Sequence, residues 1–162
     1  MSNSETIAVV SIVSSATFAC IVAFFTFRFN LKIRKLDILY SSRIAAFKEV
    51  SLNLVSFKNF CNGKLAFSAG NEYSPFYEEG FGALYHRTRI ARSFESGSIF
   101  LSSDSRVILN DLISQMSGLC NGEALLASEP SDLDLDPEYQ RMATLSESAI
   151  EVLYKELGVG KL

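Results

Sequence analysis

The segment TIAVVSIVSSATFACIVAFFTF, residues 6–27, contains no charged residue, no proline and no glycine. As an α-helix its 22 residues extend roughly 33 Å, at about 1.5 Å per residue, which is enough to cross the hydrocarbon core of a bilayer. Four basic residues follow it: Arg28, Lys32, Arg34 and Lys35. The sequence therefore predicts a transmembrane helix at residues 6–27 and a basic juxtamembrane collar at residues 28–35.

The flanks of this segment distinguish it from a cleaved signal sequence and set its orientation. Residues 1–5 contain no Lys or Arg, and the apolar run is longer than the core of a usual signal. Because the basic residues flank only the C-terminal end of the span, the positive-inside rule places the rest of the chain in the cytoplasm. We expect a single-pass inner-membrane protein with residues 1–5 outside the cell and a cytosolic helical domain at residues 36–162.

The cytosolic part is acidic. The chain carries a net charge of -3, to which residues 1–35 contribute +3, so residues 36–162 contribute -6. Proteins that bind nucleic acid need clustered cations to contact phosphates, so we expect no DNA or RNA partner. The four collar residues are suited to contact anionic lipid head groups, which makes membrane lipid the first predicted partner.

A long helical stripe continues beyond the collar. Apolar residues recur at alternating steps of four and three, which is typical of a helix with one buried face. The helix is predicted to end near Asn62-Gly63 and to form the core of a bundle rather than a narrow two-stranded seam. Arg43 interrupts the stripe, so it either reaches out to solvent or is buried with an acidic partner. The stripe consists of Phe29, Ile33, Leu36, Tyr40, Arg43, Phe47, Val50, Leu54, Phe57 and Cys61.

Apolar periodicity indicates two further helices after a connection at residues 63–75. One extends from position 75 or 76 to about residue 95, with a buried face of Tyr77, Phe81, Leu84 and Ala91. The next is capped by a polar residue at positions 102–104 and either ends at Asn121-Gly122 or continues to residue 126. Its predicted buried face contains Val107, Ile108, Leu112, Ile113, Met116 and Leu119.

A last helix follows a polar loop at residues 128–136. Pro137 suits its first position with Asp136 as the cap, and Gly158 closes it. Because no β-alternation competes, the predicted fold class is all-α, with an N-terminal transmembrane helix that continues into a cytosolic four-helix-type bundle. The apolar stripe of this last helix contains Tyr139, Met142, Leu145, Ala149, Val152, Leu153 and Leu157.

Small side chains recur at every fourth position of the predicted span: Ser11, Ser15, Ala19 and Ala23. Such a face lets transmembrane helices approach closely and associate. The alternative is that Ser and Ala are simply common in single spans. The first interpretation predicts a homo-oligomer held partly by this face.

The most basic stretch of the cytosolic part is YHRTRIAR, residues 85–92. It holds the single histidine of the chain and three arginines: His86, Arg87, Arg89 and Arg92. Guanidinium groups bind phosphates, so these four residues are the predicted site for a small anion or a nucleotide. On a helix Arg87 lies on the flank opposite Arg89 and Arg92, so a shared site would need another helix or subunit. The alternative is a solvated face whose arginines pair with nearby glutamates.

The sequence contains no motif that indicates catalysis. His86 has no nucleophile elbow or orienting acid, and no glycine-rich phosphate loop occurs. The triplet Asp132, Asp134 and Asp136 lacks the Gly and the Glu that a calcium loop needs at its sixth and twelfth positions. We therefore predict a non-enzymatic protein without catalytic residue, cofactor or metal. Cys20 is predicted to lie in the bilayer, and Cys61 and Cys120 are predicted to stay reduced in the cytoplasm.

The layout resembles a group of known proteins. An uncharged span, a basic collar, the helix KIRKLDILYSSRIAAFKEV, the segment GSIFLSSDS and the ending IEVLYKELG together look like small bacterial inner-membrane proteins with a cytosolic helical domain. The plan is also similar to antiviral effectors, including membrane proteins of CRISPR systems that bind cyclic oligoadenylates. The resemblance implies membrane attachment and a helical body, and it suggests a role in antiviral defence.

Two functions of different kinds are compatible with this layout. In the first, the protein is an oligomeric sensor or effector, and binding of a ligand or partner to the bundle is transmitted along the Phe29–Cys61 helix to the span. In the second, the span is a passive tether and the bundle is a docking module for a cytosolic protein.

Overall fold

The computed structural model describes residues 3–71, 82–128 and 133–158, with side chains from residue 17 onward. These ranges form four α-helices: α1 (Asn3–Ser68), α2 (Ala83–Gly97), α3 (Ser103–Ser128) and α4 (Asp136–Glu156). A short 3₁₀ turn, Ser98–Phe100, lies between α2 and α3. The described ranges contain no strand, so the all-α prediction is confirmed. Helix α2 begins at Ala83, because the backbone of Gly82 is extended, with φ of -91° and ψ of 176°. The prediction of one helix from position 75 or 76 to about residue 95 is therefore wrong at its start, and positions 75–81 themselves lie outside the described residues.

The chain divides into two units, residues 1–42 and residues 43–162. In the first unit every described side chain from residue 17 to residue 41 is exposed. They include four apolar residues of the predicted buried stripe, with Phe29 and Tyr40 each 64% exposed, Leu36 50% and Ile33 41%. The prediction that this part of α1 is a bundle core helix is therefore wrong.

The structure describes side chains for residues 17–27 of the predicted span. Over the residues that the structure describes, none of the helices combines the length and the apolar character that crossing a bilayer requires. Residues 6–16, the first half of the predicted span, lie outside the described side chains.

The second unit packs around the remaining half of the α1 stripe. Phe47, Leu54 and Phe57 are fully buried there, as the sequence predicts. Helices α2, α3 and α4 cover them with apolar side chains of their own, so a helical bundle is confirmed for this unit. The buried residues that these three helices contribute include Ile90, Leu109, Leu112, Met116, Leu119, Met142, Ala149 and Leu153.

Helix α1 is longer than predicted. It passes Asn62-Gly63 and ends at Ser68, and Gly70, with φ of 70°, makes the left-handed turn instead. The Gly70 N–H donates to the Phe67 carbonyl at 3.0 Å, which closes the helix end. Gly63 is buried inside the helix. A glycine marks a helix end only where the backbone turns left-handed, and composition alone does not distinguish these two positions.

In the second unit, two further residues predicted to be buried are exposed: Leu84 is 61% exposed and Val107 69%. Helix α2 buries Ala83, His86 and Ile90, so Leu84 points to the other side. In α3 the buried face includes Ser105 and Leu109, which turns Val107 toward solvent. In both helices a small or polar residue is buried: Ala83 and His86 in α2, and Ser105 in α3. Apolar periodicity alone instead predicts that a larger apolar residue nearby is the buried one.

The predicted end of the second helix and the predicted ends of the third and fourth helices agree with the structure to within two residues. Of the two ends predicted for the third helix, the structure agrees with the later one, since α3 continues through Asn121-Gly122 to Ser128. Pro137 lies in the first turn of α4, where Asp134 accepts the backbone N–H of Asp136 at 2.9 Å. Gly158, with φ of 72°, closes α4 as predicted.

The carboxylate of Glu156, at the end of α4, caps the first turn of α3. Its oxygens accept hydrogen bonds from the backbone N–H and the hydroxyl of Ser102, both at 2.8 Å, and from the hydroxyl of Ser105. Arg43 on α1 donates to the same carboxylate at 3.1 Å, which identifies an acidic partner for the arginine that interrupts the apolar stripe. Burial raises the pKa of Glu156, but these hydrogen bonds outweigh burial and hold the pKa below its ordinary value.

We expect Glu156→Gln to lower the free energy of unfolding by about 2 kcal/mol or more, because hydrogen bonds to a partly buried charge are lost and Arg43 loses its counter-ion. Urea unfolding of the detergent-solubilised full-length chain at pH 7, followed by circular dichroism, measures this. The matched control is Glu147→Gln, which removes an exposed ion pair with Lys58 at 3.1 Å and should have little effect. Equal effects of the two substitutions would contradict the capping role.

Candidate functional site

His86, on the buried side of α2, lies among aromatic rings and is only 3% exposed. Its ring centroid is 4.8 Å from that of Phe60 and 5.8 Å from that of Phe57, both on α1, and 5.4 Å from that of Tyr85. Its Nε2 is buried and has no hydrogen-bond partner among the described residues. We refer to these four rings, with Tyr139 at 6.0 Å from Phe60, as the aromatic cluster.

Burial, and then the positive charge of Arg89, lower the pKa of His86 from 6.5 to about 4. The imidazole is therefore neutral at pH 7 and contributes no charge to anion binding. The imidazole is also buried, so a ligand bound at the surface of α2 would not contact it. Its role in the described structure is to pack as a neutral ring in the core.

Glu123 on α3 lies at the edge of the aromatic cluster and caps α2. Its Oε2 accepts the backbone N–H of Ala83 at 2.7 Å, and its Oε1 accepts the hydroxyl of Tyr139 on α4 at 2.7 Å. Gly82 precedes α2 and offers no side chain to cap it. A Cβ at Gly82 would lie 2.9 Å from Oε2, so glycine leaves the space that this carboxylate occupies.

Arg87 is partly buried and joins α2 to α3. Its Nε donates to the backbone carbonyl of Ile113 at 3.1 Å. The predicted anion-binding residues His86 and Arg87 thus both point into the protein, one toward the aromatic cluster and the other toward α3.

Arg89 and Arg92 lie on the exposed side of α2. The guanidinium of Arg89 donates to the hydroxyl of Tyr85 at 3.1 Å and lies 5.5 Å from the centroid of that ring. Residues three apart on a helix are neighbours, so Arg92 is placed beside Arg89. The structure brings these two of the four predicted residues together on a surface that a dissolved anion can reach.

The basic collar is exposed along α1. Arg34 faces solvent, and a shallow groove is lined by Phe25, Arg28, Phe29, Leu31, Lys32 and Lys35. Three cations beside aromatic and aliphatic side chains make a surface of mixed character, suited to the boundary between lipid head groups and acyl chains.

The predicted association face falls partly outside the described side chains. Ser11 and Ser15 belong to that undescribed part, whereas Ala19 and Ala23 are exposed. Self-association through these residues stays a prediction.

The cysteines are free, with Cys61 buried, Cys120 partly exposed and Cys20 exposed. Burial raises the pKa of both Cys61 and Cys120, and the negative charge of Glu123 raises it further. Among the described residues no three His, Cys, Asp or Glu side chains are grouped so that they could hold a metal ion.

Glu123 and Glu156 are absent from the residues that the sequence singles out. Each caps a helix whose first turn is far away in the chain, and residue patterns report only near neighbours. Two weak signals exist in the sequence. Gly82 leaves α2 without a local cap, and Arg43 in an apolar stripe requires an acidic partner. Neither signal identifies which glutamate is the partner.

Comparison with known proteins adds no relative: no protein-family model, no curated protein and no solved structure matches this chain.

The buried imidazole should make the stability of the bundle depend on pH. The unfolded chain binds a proton at His86 near pH 6.5, whereas the folded protein does so only near pH 4. The stabilisation that this difference represents is complete above pH 6.5 and is lost as the pH falls toward 4. We expect the free energy of unfolding to fall on the order of 3 kcal/mol across this window, as measured by urea unfolding at a series of pH values.

The replacements His86→Phe and His86→Asn provide the control, because neither side chain titrates. Both variants should lose the slope between pH 6.5 and about 5, whatever their stability at pH 7. Because hydrogen bonds lower the pKa of Glu156 in the folded state, its contribution is lost only as the pH falls to about its ordinary pKa of 4.5 and below. An unchanged slope in both variants would contradict the assignment to His86.

Proposed function

We propose that the protein is a non-enzymatic, membrane-anchored sensor or effector. The N-terminal part of α1 spans the inner membrane, with residues 1–5 outside, and the helical bundle lies in the cytoplasm and binds a small anionic ligand. The observation that carries the proposal is the exposure of large apolar side chains along the described part of the predicted span.

Phe18, Phe25 and Phe27 are 69%, 67% and 61% exposed, and Ile21, Val22 and Phe24 are about half exposed. Soluble proteins rarely leave such a continuous apolar surface in water, and in most proteins either lipid or a protein partner covers it. Lipid is favoured because the uncharged run in the sequence has the length of a span and ends at a cationic collar.

The collar supports the proposed orientation. Arg28, Lys32 and Lys35 are exposed and lie beside Phe25 and Phe29. Cations at the end of an apolar helix are attracted to anionic head groups, which are concentrated on the cytoplasmic leaflet. Their position fixes the helix so that the bundle lies on the cytoplasmic side.

The ligand-binding part of the proposal concerns the exposed pair on α2. Arg89 is held by Tyr85, so its guanidinium is partly positioned in advance for a phosphate group. Arg92 supplies a second charge from the same side. Two arginines on one exposed surface suit a phosphate-bearing molecule that a second chain helps to enclose, such as a nucleotide.

Antiviral defence is the most specific form of this proposal. It draws on the layout shared with membrane effectors that bind cyclic oligoadenylates, and on the exposed arginine pair, which suits such a ligand. The proposal for this chain is that ligand binding at the bundle is passed along α1 to the membrane.

A passive tether with a protein-docking module is the second candidate. It is supported by isolated apolar side chains on the surface of the bundle, of which Ile99 is 81% exposed and Val107 69%. A flexible Gly-Ser insertion after Asn30 separates the two candidates, because it would uncouple a sensor from its span while leaving docking intact.

We expect the full-length chain to fractionate with membranes, to resist extraction by alkaline carbonate and to dissolve only in detergent. Adding Val22→Arg and Phe25→Arg should release it, since each charge in a span costs about 3 kcal/mol. A reporter fused after residue 162 should be active only in the cytoplasm. Recovery of the unsubstituted chain without detergent, or an external reporter, would contradict the anchor.

We expect phosphate-bearing compounds to raise the melting temperature of the detergent-solubilised chain as their concentration rises, because they bind only the folded state. The probes are inorganic phosphate, ATP and a cyclic oligoadenylate. Arg89→Ala with Arg92→Ala should abolish the shift, whereas Arg141→Ala, an exposed arginine on α4 paired with Glu138, should not. No shift with any probe would contradict the anion site.

A further inference from the structure

We propose that copies of this chain associate through a parallel, in-register coiled coil of α1 over residues 15–40. The same face of a second copy would cover this face, which is exposed at every contact position from Ala19 to Tyr40. The parallel arrangement rests on the proposed membrane anchoring, because copies inserted in one orientation present their α1 helices side by side.

The positions of this face follow the spacing of a coiled coil, in which contacts alternate between steps of four and three residues. They extend over almost four heptads, which is the length that distinguishes a coiled coil from chance periodicity. The contact positions are Ser15, Ala19, Val22, Thr26, Phe29, Ile33, Leu36 and Tyr40.

The residue types at these positions suit a close helix pair. Ile33 falls at an a position and Leu36 at the following d position, which is the combination that favours two parallel strands. Ser15 and Ala19 fall within the predicted span, where small side chains let helices approach. The apolar residues at the contact positions are exposed where the structure describes their side chains, with Val22 47% and Leu36 50% exposed. They are therefore accessible to another chain.

Charge at the edges of the face specifies the register. Lys32 occupies the g position and Asp37 the next e position, and a parallel pair places g of one helix beside e of the other, five residues on. Asp37 is the one acidic residue between Glu5 and Glu49 in the sequence. The other collar residues fall at outward positions, so Lys32 alone among them borders the contact. Two Lys32–Asp37 pairs would therefore form across the pair of copies.

The exposed part of the apolar stripe ends at Tyr40, and the proposed contact ends there too. After Tyr40 the next position is Arg43, which is bonded to Glu156 of the same chain. From Phe47 onward the stripe is fully buried in the bundle. A second copy is needed only before Arg43, where the same periodic face is exposed.

Disulfide cross-linking tests the contact in membranes that hold the full-length chain. Cys20→Ser removes the exposed native thiol, and burial raises the pKa of Cys61 and Cys120, so both react slowly. Leu36→Cys, at a contact position, should give a cross-linked dimer on mild oxidation, several times more than Ile38→Cys. Ile38 is the matched control because it is 59% exposed and points away from the proposed contact. Equal yields at the two positions, or none at Leu36, would overturn the proposal.

Charge reversal tests the register in the Leu36→Cys background. Lys32→Glu alone and Asp37→Lys alone each place like charges together and should lower the yield of dimer. The double variant keeps the net charge and restores opposite charges, so it should recover the yield. Failure of the double variant to recover while both single variants lose the dimer would overturn the parallel register.

Two measurements on the same variants distinguish a failure of the coiled coil from a failure of the membrane anchor. Flotation of each variant with lipid vesicles reports the anchor independently of cross-linking. A chain that floats without cross-linking at Leu36 contradicts the coiled coil alone. A chain that cross-links but stays in the aqueous fraction contradicts the anchor alone.

Discussion

The second unit depends on the carboxylate of Glu156. One side chain at the end of α4 accepts hydrogen bonds from Ser102 and Ser105 at the start of α3 and from Arg43 on α1. Hydrogen bonds to a charged group are stronger than those between neutral groups, and this group is largely shielded from water. Three helices are therefore joined at one point.

Glu123, near the other end of α3, likewise caps a helix other than its own. It caps α2 from a neighbouring helix and binds Tyr139 of α4, in a position that Gly82 leaves open. Neither α2 nor α3 thus depends on its own residues alone to complete its first turn. The helix starts are satisfied by tertiary contacts, so the ends of these helices depend on the packing between the helices.

The sequence predicts the helices well and the contacts between them poorly. Periodicity identifies the buried stripe from Phe47 onward because apolar spacing follows directly from helix geometry. The same spacing before Arg43 looks identical in the sequence, yet Leu36 and its neighbours are exposed, since a pattern shows that a face is apolar and not which group covers it. His86 illustrates the other limit, because residue type suggested a charged ligand-binding group whereas burial makes it neutral.

The position of Glu156 has a consequence for synthesis on the ribosome. Phe47, Leu54 and Phe57 emerge early, whereas the carboxylate that fixes the helices around them emerges only when α4 has been made. Until then the most apolar part of the bundle has no complete partner, a condition in which nascent chains aggregate or engage chaperones. The protein must therefore pass through a vulnerable interval between the appearance of its first helix and the closure of its last.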